Sequence, residues 1–373
     1  MPSSLKGIEK FYERGGDGQT LPLKLSALFS SYGYKKYRMS RFEEYSLYAD
    51  NFDFLAGSNV ITFGGADGKL LALRPDVTLS IAKNTKATKE CGEKVYYHES
   101  VYRLSRGNLG YEEIDQMGVE NIGEVDLLTI SEQVELILKS LSFLSDEYSL
   151  DISHSGLVHG MVSQLELSAE AKAKVYECIK SKSVHAFAEL MRSDGADGEI
   201  AAKVRRMIEL SGPIDEVLPE LGALIEGEEA AEAYVQLMAL SHEAARMEGG
   251  DRLRLDLSVF NHLDYYNGVM FNGYIREYPK AVIVGGEYDK LLEKMGKGVQ
   301  ALGFAINLGA APAIHRKPAD IALLYDESDN VYDVLEQANK LREKGKSVIV
   351  SKTRVPAVKT YAYTDGDLQE VKE

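Results

Sequence analysis

Val101-Tyr102-Arg103-Leu104-Ser105-Arg106 is followed, after the turn Gly107-Asn108-Leu109-Gly110, by Ile114-Asp115-Gln116-Met117-Gly118-Val119-Glu120. The apolar, β-branched and aromatic residues on both sides of a glycine-bounded turn predict a strand and its antiparallel return. Side chains alternate along a strand, so Gln116, Gly118 and Glu120 share one face. Gly118 leaves room between two hydrogen-bonding groups. A half-buried Arg103 on the facing strand sets a fixed cation beside two acceptors. A purely structural lattice of ion pairs explains the same residues equally well.

Upstream, Val60 to Phe63 and Leu70 to Leu73 flank the turn Gly64-Gly65-Ala66-Asp67-Gly68 and read as another hairpin. Leu73-Arg74-Pro75-Asp76-Val77-Thr78 then enters a short helix, where Asp76 and Thr78 suit either helix capping or a ligand ammonium. Leu21 to Tyr32 has apolar residues at helical spacing. Asp126 to Ser142 is amphipathic, with Leu127, Ile130, Val134, Ile137, Leu138 and Leu141 on one face. From about Ser163 to Gly250, Ala, Glu, Leu and Met dominate and predict several short helices. Between Met207 and Gly250 there are ten acids and one base, Arg246. Such a run is a solvated face or a contact surface for a basic partner. Strand texture returns at Leu253 to Val259, Gly268 to Ile275, Ala281 to Val284 and Leu302 to Asn307. Ile321 to Tyr325, helical Val331 to Glu343 and Ser347 to Val350 form a β-α-β unit, to which Thr360 to Tyr363 adds a strand.

The composition is that of a globular chain: 373 residues, 45% hydrophobic and 27% charged, with 33 Gly, 9 Pro, 22 Tyr and no Trp. Disordered, collagen-like and coiled-coil classes are excluded. No apolar run approaches the roughly 20 residues of a membrane helix. The first residues lack the apolar core of a secretory signal. Cys91 and Cys178 are too far apart for a local metal motif, so reduced thiols and a cytoplasmic location are expected. A net charge of −15 repels extended polyanions.

No His-Glu-x-x-His, nucleophile elbow or Walker loop is present. Gly285-Gly286-Glu287-Tyr288-Asp289 lacks the third glycine of a dinucleotide fingerprint. Phe260-Asn261-His262-Leu263-Asp264-Tyr265-Tyr266-Asn267-Gly268 sets adjacent tyrosines before an Asn-Gly turn, for packing or for binding. No metal, cofactor or catalytic residue is expected.

In this order, the stretches resemble the histidyl-tRNA synthetase family of class II synthetase folds, from near residue 6 to about 310. Tyr34 to Asp50 sits at the family's dimer-forming first motif. Arg103 and Gln116 to Glu120 match its second motif, and Leu263-Asp264-Tyr265-Tyr266 a histidine-specific signature. Gly285 to Asp289 with Gly303-Phe304-Ala305-Ile306 matches the run into the third. The resemblance, with the hairpins, implies an α+β fold: an antiparallel sheet of six or seven strands flanked by helices. Residues 1–162 and 251–315 would form the synthetase-like core and 163–250 a helical insert. Residues 318–373 would be a small α/β tail, a remnant of an anticodon-binding-like domain.

The departures bear on activity. Asn261 replaces an arginine that assists adenylate formation, and Gly309-Ala310 stands where another arginine contacts ATP. Ser105 replaces a glutamate, Ser40 a proline, and Glu287 an arginine; the turn Gly107 to Gly110 lacks the usual bases. Adenylation sets a polyphosphate against a carboxylate, so fixed cations must screen like charges. Losing one such donor commonly costs about 2.7–4 kcal/mol of transition-state stabilisation. On this reading Glu287 worsens the field further. The groups suited to an amino acid remain: Asp76, Thr78, Gln116, Glu120, Tyr265 and Tyr266, with Arg103 as a two-pronged partner for a carboxylate.

This pattern is similar to the synthetase-like regulatory subunits of ATP phosphoribosyltransferase, the first enzyme of histidine biosynthesis. The resemblance implies a non-catalytic homodimer, paired with the short-form catalytic subunit and responding to histidine as effector. A tRNA partner is not expected, because the tail is short and its acids outnumber its bases. A divergent histidyl-tRNA synthetase and another synthetase-like amino-acid-binding protein remain alternatives.

Overall fold

The computed structural model describes residues 17–55, 60–104, 110–196, 198–259, 266–276, 278–310, 319–355, 358–364 and 367–371. The chain divides into two compact units, Leu25–Ala311 and a second made of Met1–Lys24 with Pro312–Glu373.

The strands are, in chain order, β1 (Lys35–Lys36), β2 (Phe42–Glu44), β3 (Thr62–Gly64), β4 (Leu70–Leu73), β5 (Glu93–Leu104), β6 (Tyr111–Gly123), β7 (Tyr148–His154) and β8 (Ser211–Pro213). They continue with β9 (Leu253–Asp256), β10 (Val269–Ile275), β11 (Ile283–Glu287), β12 (Gln300–Asn307), β13 (Ile321–Leu324), β14 (Val348–Ser351), β15 (Lys359–Thr364) and β16 (Asp367–Glu370). In the larger unit nine of them form one sheet in the order β1-β5-β6-β12-β11-β10-β7-β9-β8. Its pairings are antiparallel except β1 with β5 and β7 with β9.

The sheet therefore exceeds the expected six or seven strands. β1 is only two residues long and too short for a sequence signal. β8 lies in the largely helical stretch, where Gly212-Pro213 reads as a break; proline is tolerated there because the strand is at the sheet edge. β7 was missed although Leu150 and Ile152 alternate with Ser149, Asp151 and Ser153. The hairpin of β3 and β4 forms as expected, in a separate three-stranded sheet of order β2-β4-β3.

The strand pair at the centre of the sequence reading is the longest in the molecule, with Glu93 opposite Ile122 and Leu104 opposite Tyr111. The helix Leu127–Leu144 buries Ile130, Val134, Ile137, Leu138 and Leu141 of the stripe expected from its spacing, while Leu127, in the first turn, stays exposed. Asp126 caps it by accepting from Thr129 N at 2.8 Å. Each fully buried aliphatic side chain is worth about 1.5–3 kcal/mol, so this stripe fixes the sheet's inner face. The opposite face carries Gln116, Glu120 and Asn307.

Between residues 163 and 250 the helices are Ala169–Lys180, Val184–Ser193, Glu199–Glu209, Ile214–Gly222 and Glu228–Ala244. The acidic run is partly neutralised from just outside it. Arg206 pairs with Glu209 and Glu220, and Lys203 with Glu226. In the second unit β14-β13-β15-β16 form a sheet whose β13 runs parallel to both neighbours. The helix Val331–Glu343 buries Val334 and Ala338 against Leu323.

Candidate functional site

A cavity of about 360 Å³ opens on the face of β6, β12 and β11 away from the helix Leu127–Leu144. Of the residues read from sequence, Asp76, Thr78, Arg103, Gln116, Glu120 and Tyr266 all line it. Tyr265 and Asn261 lie outside the described residues.

Gln116 and Glu120 project from β6 on one face because they are four residues apart on a strand. Gly118, between them, is required by a neighbour: a Cβ there would lie 2.5 Å from the Tyr97 hydroxyl. Gly303, opposite Glu120 on β12, makes room for the carboxylate; a Cβ would lie 1.8 Å from Glu120 Oε2. The strand β4 delivers the other wall. After it the chain turns at Pro75, and Asp76 Oδ1 accepts from Leu79 N at 2.9 Å, capping the helix Thr78–Asn84. Asp76 thus caps the helix and also lines the cavity.

Glu120 is the chemical centre. Thr78 Oγ1 donates to its Oε1 at 2.7 Å and the Tyr288 hydroxyl to its Oε2 at 2.6 Å. Burial pushes its carboxyl up to about 8, opposed by these two hydrogen bonds and assisted by the nearby Asp76. Asp76 is also held above the usual carboxylate range by burial, against the pull of Arg103. Arg103 Nε donates to Pro75 O at 2.8 Å, and its Nη2 stands 3.7 Å from Asp76 Oδ2. Burial holds the Tyr97 and Tyr266 phenols far above their ordinary range, so both stay neutral donors.

Four polar lining groups escaped the sequence reading: Asp53, Tyr97, Tyr288 and Asn307. Tyr288 stands in the quoted Gly285 to Asp289 run, and only the cross-sheet register brings it to Glu120. Glu287 corrects an expectation. It does not line the cavity; it points to the other side of β11, where its Oε1 accepts from Val269 N at 2.8 Å. Burial raises its carboxyl to about 7. It therefore braces the backbone after Tyr266 and adds no charge to the cavity.

Among the described lining residues the carboxyl groups are Asp53, Asp76 and Glu120, and the only permanent cation is Arg103. The site suits a small ligand with an ammonium or ring N–H donor. It is poorly suited to a polyphosphate. No group of three or more His, Cys, Asp or Glu among the described residues could hold a metal ion. No helix among them is long and apolar enough to cross a membrane.

The family model for histidyl-tRNA synthetase matches residues 18–311. The chain belongs to the histidyl-tRNA synthetase family. It is 28% identical over 342 residues to an ATP phosphoribosyltransferase regulatory subunit of Bacillus cereus, covering 88% of this chain and 81% of that one. Its fold matches the crystal structure of an ATP phosphoribosyltransferase regulatory subunit/histidyl-tRNA synthetase from Bacillus halodurans with a TM-score of 0.72 at 22% identity, over 90% of this chain and 88% of that one. A chain of the ATP phosphoribosyl transferase complex of Thermotoga maritima matches with a TM-score of 0.62 at 20% identity, over 78% of this chain and 97% of that one. The large antiparallel sheet with flanking helices is thus the class II core of this family, and the cavity lies on it.

Proposed function

We propose that this chain is the non-catalytic regulatory subunit of ATP phosphoribosyltransferase, required for the first step of histidine biosynthesis and for its feedback control by histidine. One observation carries the reading beside the relatives' names. The family's amino-acid pocket keeps its acceptors, while its described wall holds three carboxyl groups and one arginine already turned toward Pro75 O and Asp76. Histidine binds there as effector. Its ammonium meets Asp76 and Gln116, its ring N–H meets Glu120, and Tyr266 closes the ring's side.

On the same reading the protein is cytoplasmic and forms a homodimer through the Tyr34 to Asp50 region, inside a larger assembly with the short-form catalytic subunit. tRNA is not a partner. Residues 1–162 and 251–315 act as the core and 163–250 as an insert. Residues 318–373 are what remains of an anticodon-binding-like domain.

The test is reconstitution. Catalytic subunit mixed with this chain is expected to gain phosphoribosyltransferase activity that histidine inhibits. The chain alone is expected to show no histidine-dependent exchange of pyrophosphate with ATP. Measurable exchange, or charging of tRNA, would instead make it a divergent histidyl-tRNA synthetase.

A further inference from the structure

An α-amino acid carries its ammonium and its carboxylate on one carbon. A ligand whose ammonium lies between Asp76 and Gln116 therefore presents its carboxylate beside Gln116, four residues along β6 from Glu120. Two residues face Gln116 across the ladder, Glu99 on β5 and Asn307 on β12. Side chains so opposed share a face of the sheet, with Cβ atoms about 4.5–5.5 Å apart. Glu99 already accepts from Arg74 Nη2 at 3.0 Å and, being acidic, would repel a carboxylate. Arg103 stands further along β5, opposite Glu112, and spends its Nε on Pro75 O and the proximity of its Nη2 on Asp76. The β12 side remains.

Asn307 is the last residue of β12 and lines the cavity. Its backbone N–H donates to Val282 O at 2.8 Å, which fixes the strand end. Its side chain is oriented as well, because Oδ1 accepts from Gly309 N at 3.1 Å. A backbone N–H needs an acceptor, so this contact decides which end of the amide is the oxygen. The Nδ2 amino group is left with two donor hydrogens and no hydrogen bond to the described residues. An amide held in this way can give a hydrogen bond to an acceptor and has nothing for an ammonium. The Gln116 amide makes no side-chain hydrogen bond to the described residues and can turn its oxygen to the ammonium. The two neighbouring amides thus suit the two charges that an amino acid carries on its α-carbon.

We infer that Asn307 Nδ2 is the donor that recognises the ligand's carboxylate, next to the Gln116 that meets its ammonium. The assignment rests on the reading of the cavity as an amino-acid effector site. Ring at Glu120, ammonium at Asp76 and Gln116, and carboxylate at Asn307 give three attachments around one carbon. The site then reads an intact amino acid and discriminates against an amine bearing the same ring. Arg103 is left to hold Asp76.

The test is calorimetric titration of the full chain with L-histidine and with histamine, which has the ring and the ammonium but no carboxylate. Wild type, Asn307→Asp and Asn307→Ala are compared, with thermal midpoints recorded for each. Aspartate keeps the oxygen that Gly309 N needs and replaces the amino group by a second oxygen, so it repels a carboxylate where asparagine binds one. Wild type is expected to prefer L-histidine. Asn307→Ala should reduce that preference by about tenfold to a hundredfold, the worth of one charge-assisted hydrogen bond, and Asn307→Asp by at least as much. Histamine should bind Asn307→Asp no more weakly than wild type. A preference that survives Asn307→Asp overturns the assignment, even where both affinities fall together, since that is what loosening the turn at Gly309 would do. Asn307→Ala decides by the same comparison if the aspartate variant is unfolded. A wild-type chain that binds both probes equally well also overturns the assignment. A wild-type chain that binds neither overturns the effector reading together with it.

Discussion

Replacing Glu120 by glutamine separates the charge of this side chain from its shape. Glu120 is 2% exposed, and its carboxyl sits at about 8 against an ordinary value of 4.5. A carboxyl whose pKa is higher in the fold than in the unfolded chain favours folding only while it is protonated. Its contribution is full below about 4.5 and is lost as the pH rises toward 8. At 1.36 kcal/mol per unit, the wild type loses about 4 kcal/mol between pH 5 and pH 8.5 from this group. Glutamine does not titrate, and the Thr78 and Tyr288 hydroxyls can rotate to meet an amide as they meet a carboxyl. Urea denaturation at pH 5, 7 and 8.5 should show Glu120→Gln gaining stability over wild type as the pH rises, by about 4 kcal/mol across the range. The same change should weaken L-histidine by about 1.5–3 kcal/mol, because the charge-assisted bond is lost. A stability difference that stays flat with pH would refute the argument that burial holds this carboxyl protonated.

Two other substitutions test the scaffold. Lys297 Nζ donates to Ala82 O at 2.7 Å, Lys83 O at 2.8 Å and Thr85 O at 2.7 Å, closing the C-terminal end of the helix Thr78–Asn84. Lys297→Met is expected to cost about 2–3 kcal/mol in urea denaturation, discounted for its partial exposure, and a cost below about 0.5 kcal/mol would deny it that role. Gly303→Ala should cost about 1–3 kcal/mol from overpacking and abolish L-histidine binding measured by calorimetry, since the new methyl occupies the space of Glu120 Oε2. Normal affinity in that variant would show that the Glu120 carboxylate is free to move aside.

The parts of the fold legible in the sequence are those where periodicity and burial agree. The helix Leu127–Leu144 shows its stripe because one side faces the core. β5 and β6 show their turn because glycines bound it. β7 was invisible for the opposite reason. Its Ser149, Asp151 and Ser153 lie on the sheet face that carries Glu120, so the strand reads as a polar loop broken by two aliphatic residues. The candidate site was legible as residue types and not as partnerships. Asp76, Thr78, Gln116 and Glu120 announce themselves as polar groups in apolar surroundings. Tyr288 becomes a partner of Glu120 only through the register of β6, β12 and β11, a separation of 168 residues that no local pattern reports. Glu287 misled for the same reason. The family resemblance set it where an arginine faces the ligand, and alternation along β11 sends it to the other side.

That alternation has a functional consequence. Tyr288 and Glu287 follow one another, and each fixes a different boundary of the pocket. Tyr288 holds the carboxylate at its centre, while Glu287 ties Val269 N and so the strand that follows Tyr266. An arginine at 287, as in the synthetases this sequence resembles, would put a donor where the Val269 N–H now needs an acceptor. The glutamate therefore belongs to a different local solution: a neutral or partly ionised buried carboxyl bracing one wall, beside a second one held by Thr78 and Tyr288. Two such groups near neutrality are costly in an empty protein, since each is kept from ionising by burial. A ligand that brings its own positive charge to Glu120 relieves the larger of the two, lowers that carboxyl's pKa and expels a proton. Under the proposed effector role, uptake of a small cation-bearing amino acid is thereby coupled to the stability of the sheet face on which it sits. That coupling is the physical requirement for a subunit whose work is to report occupancy rather than to carry out chemistry.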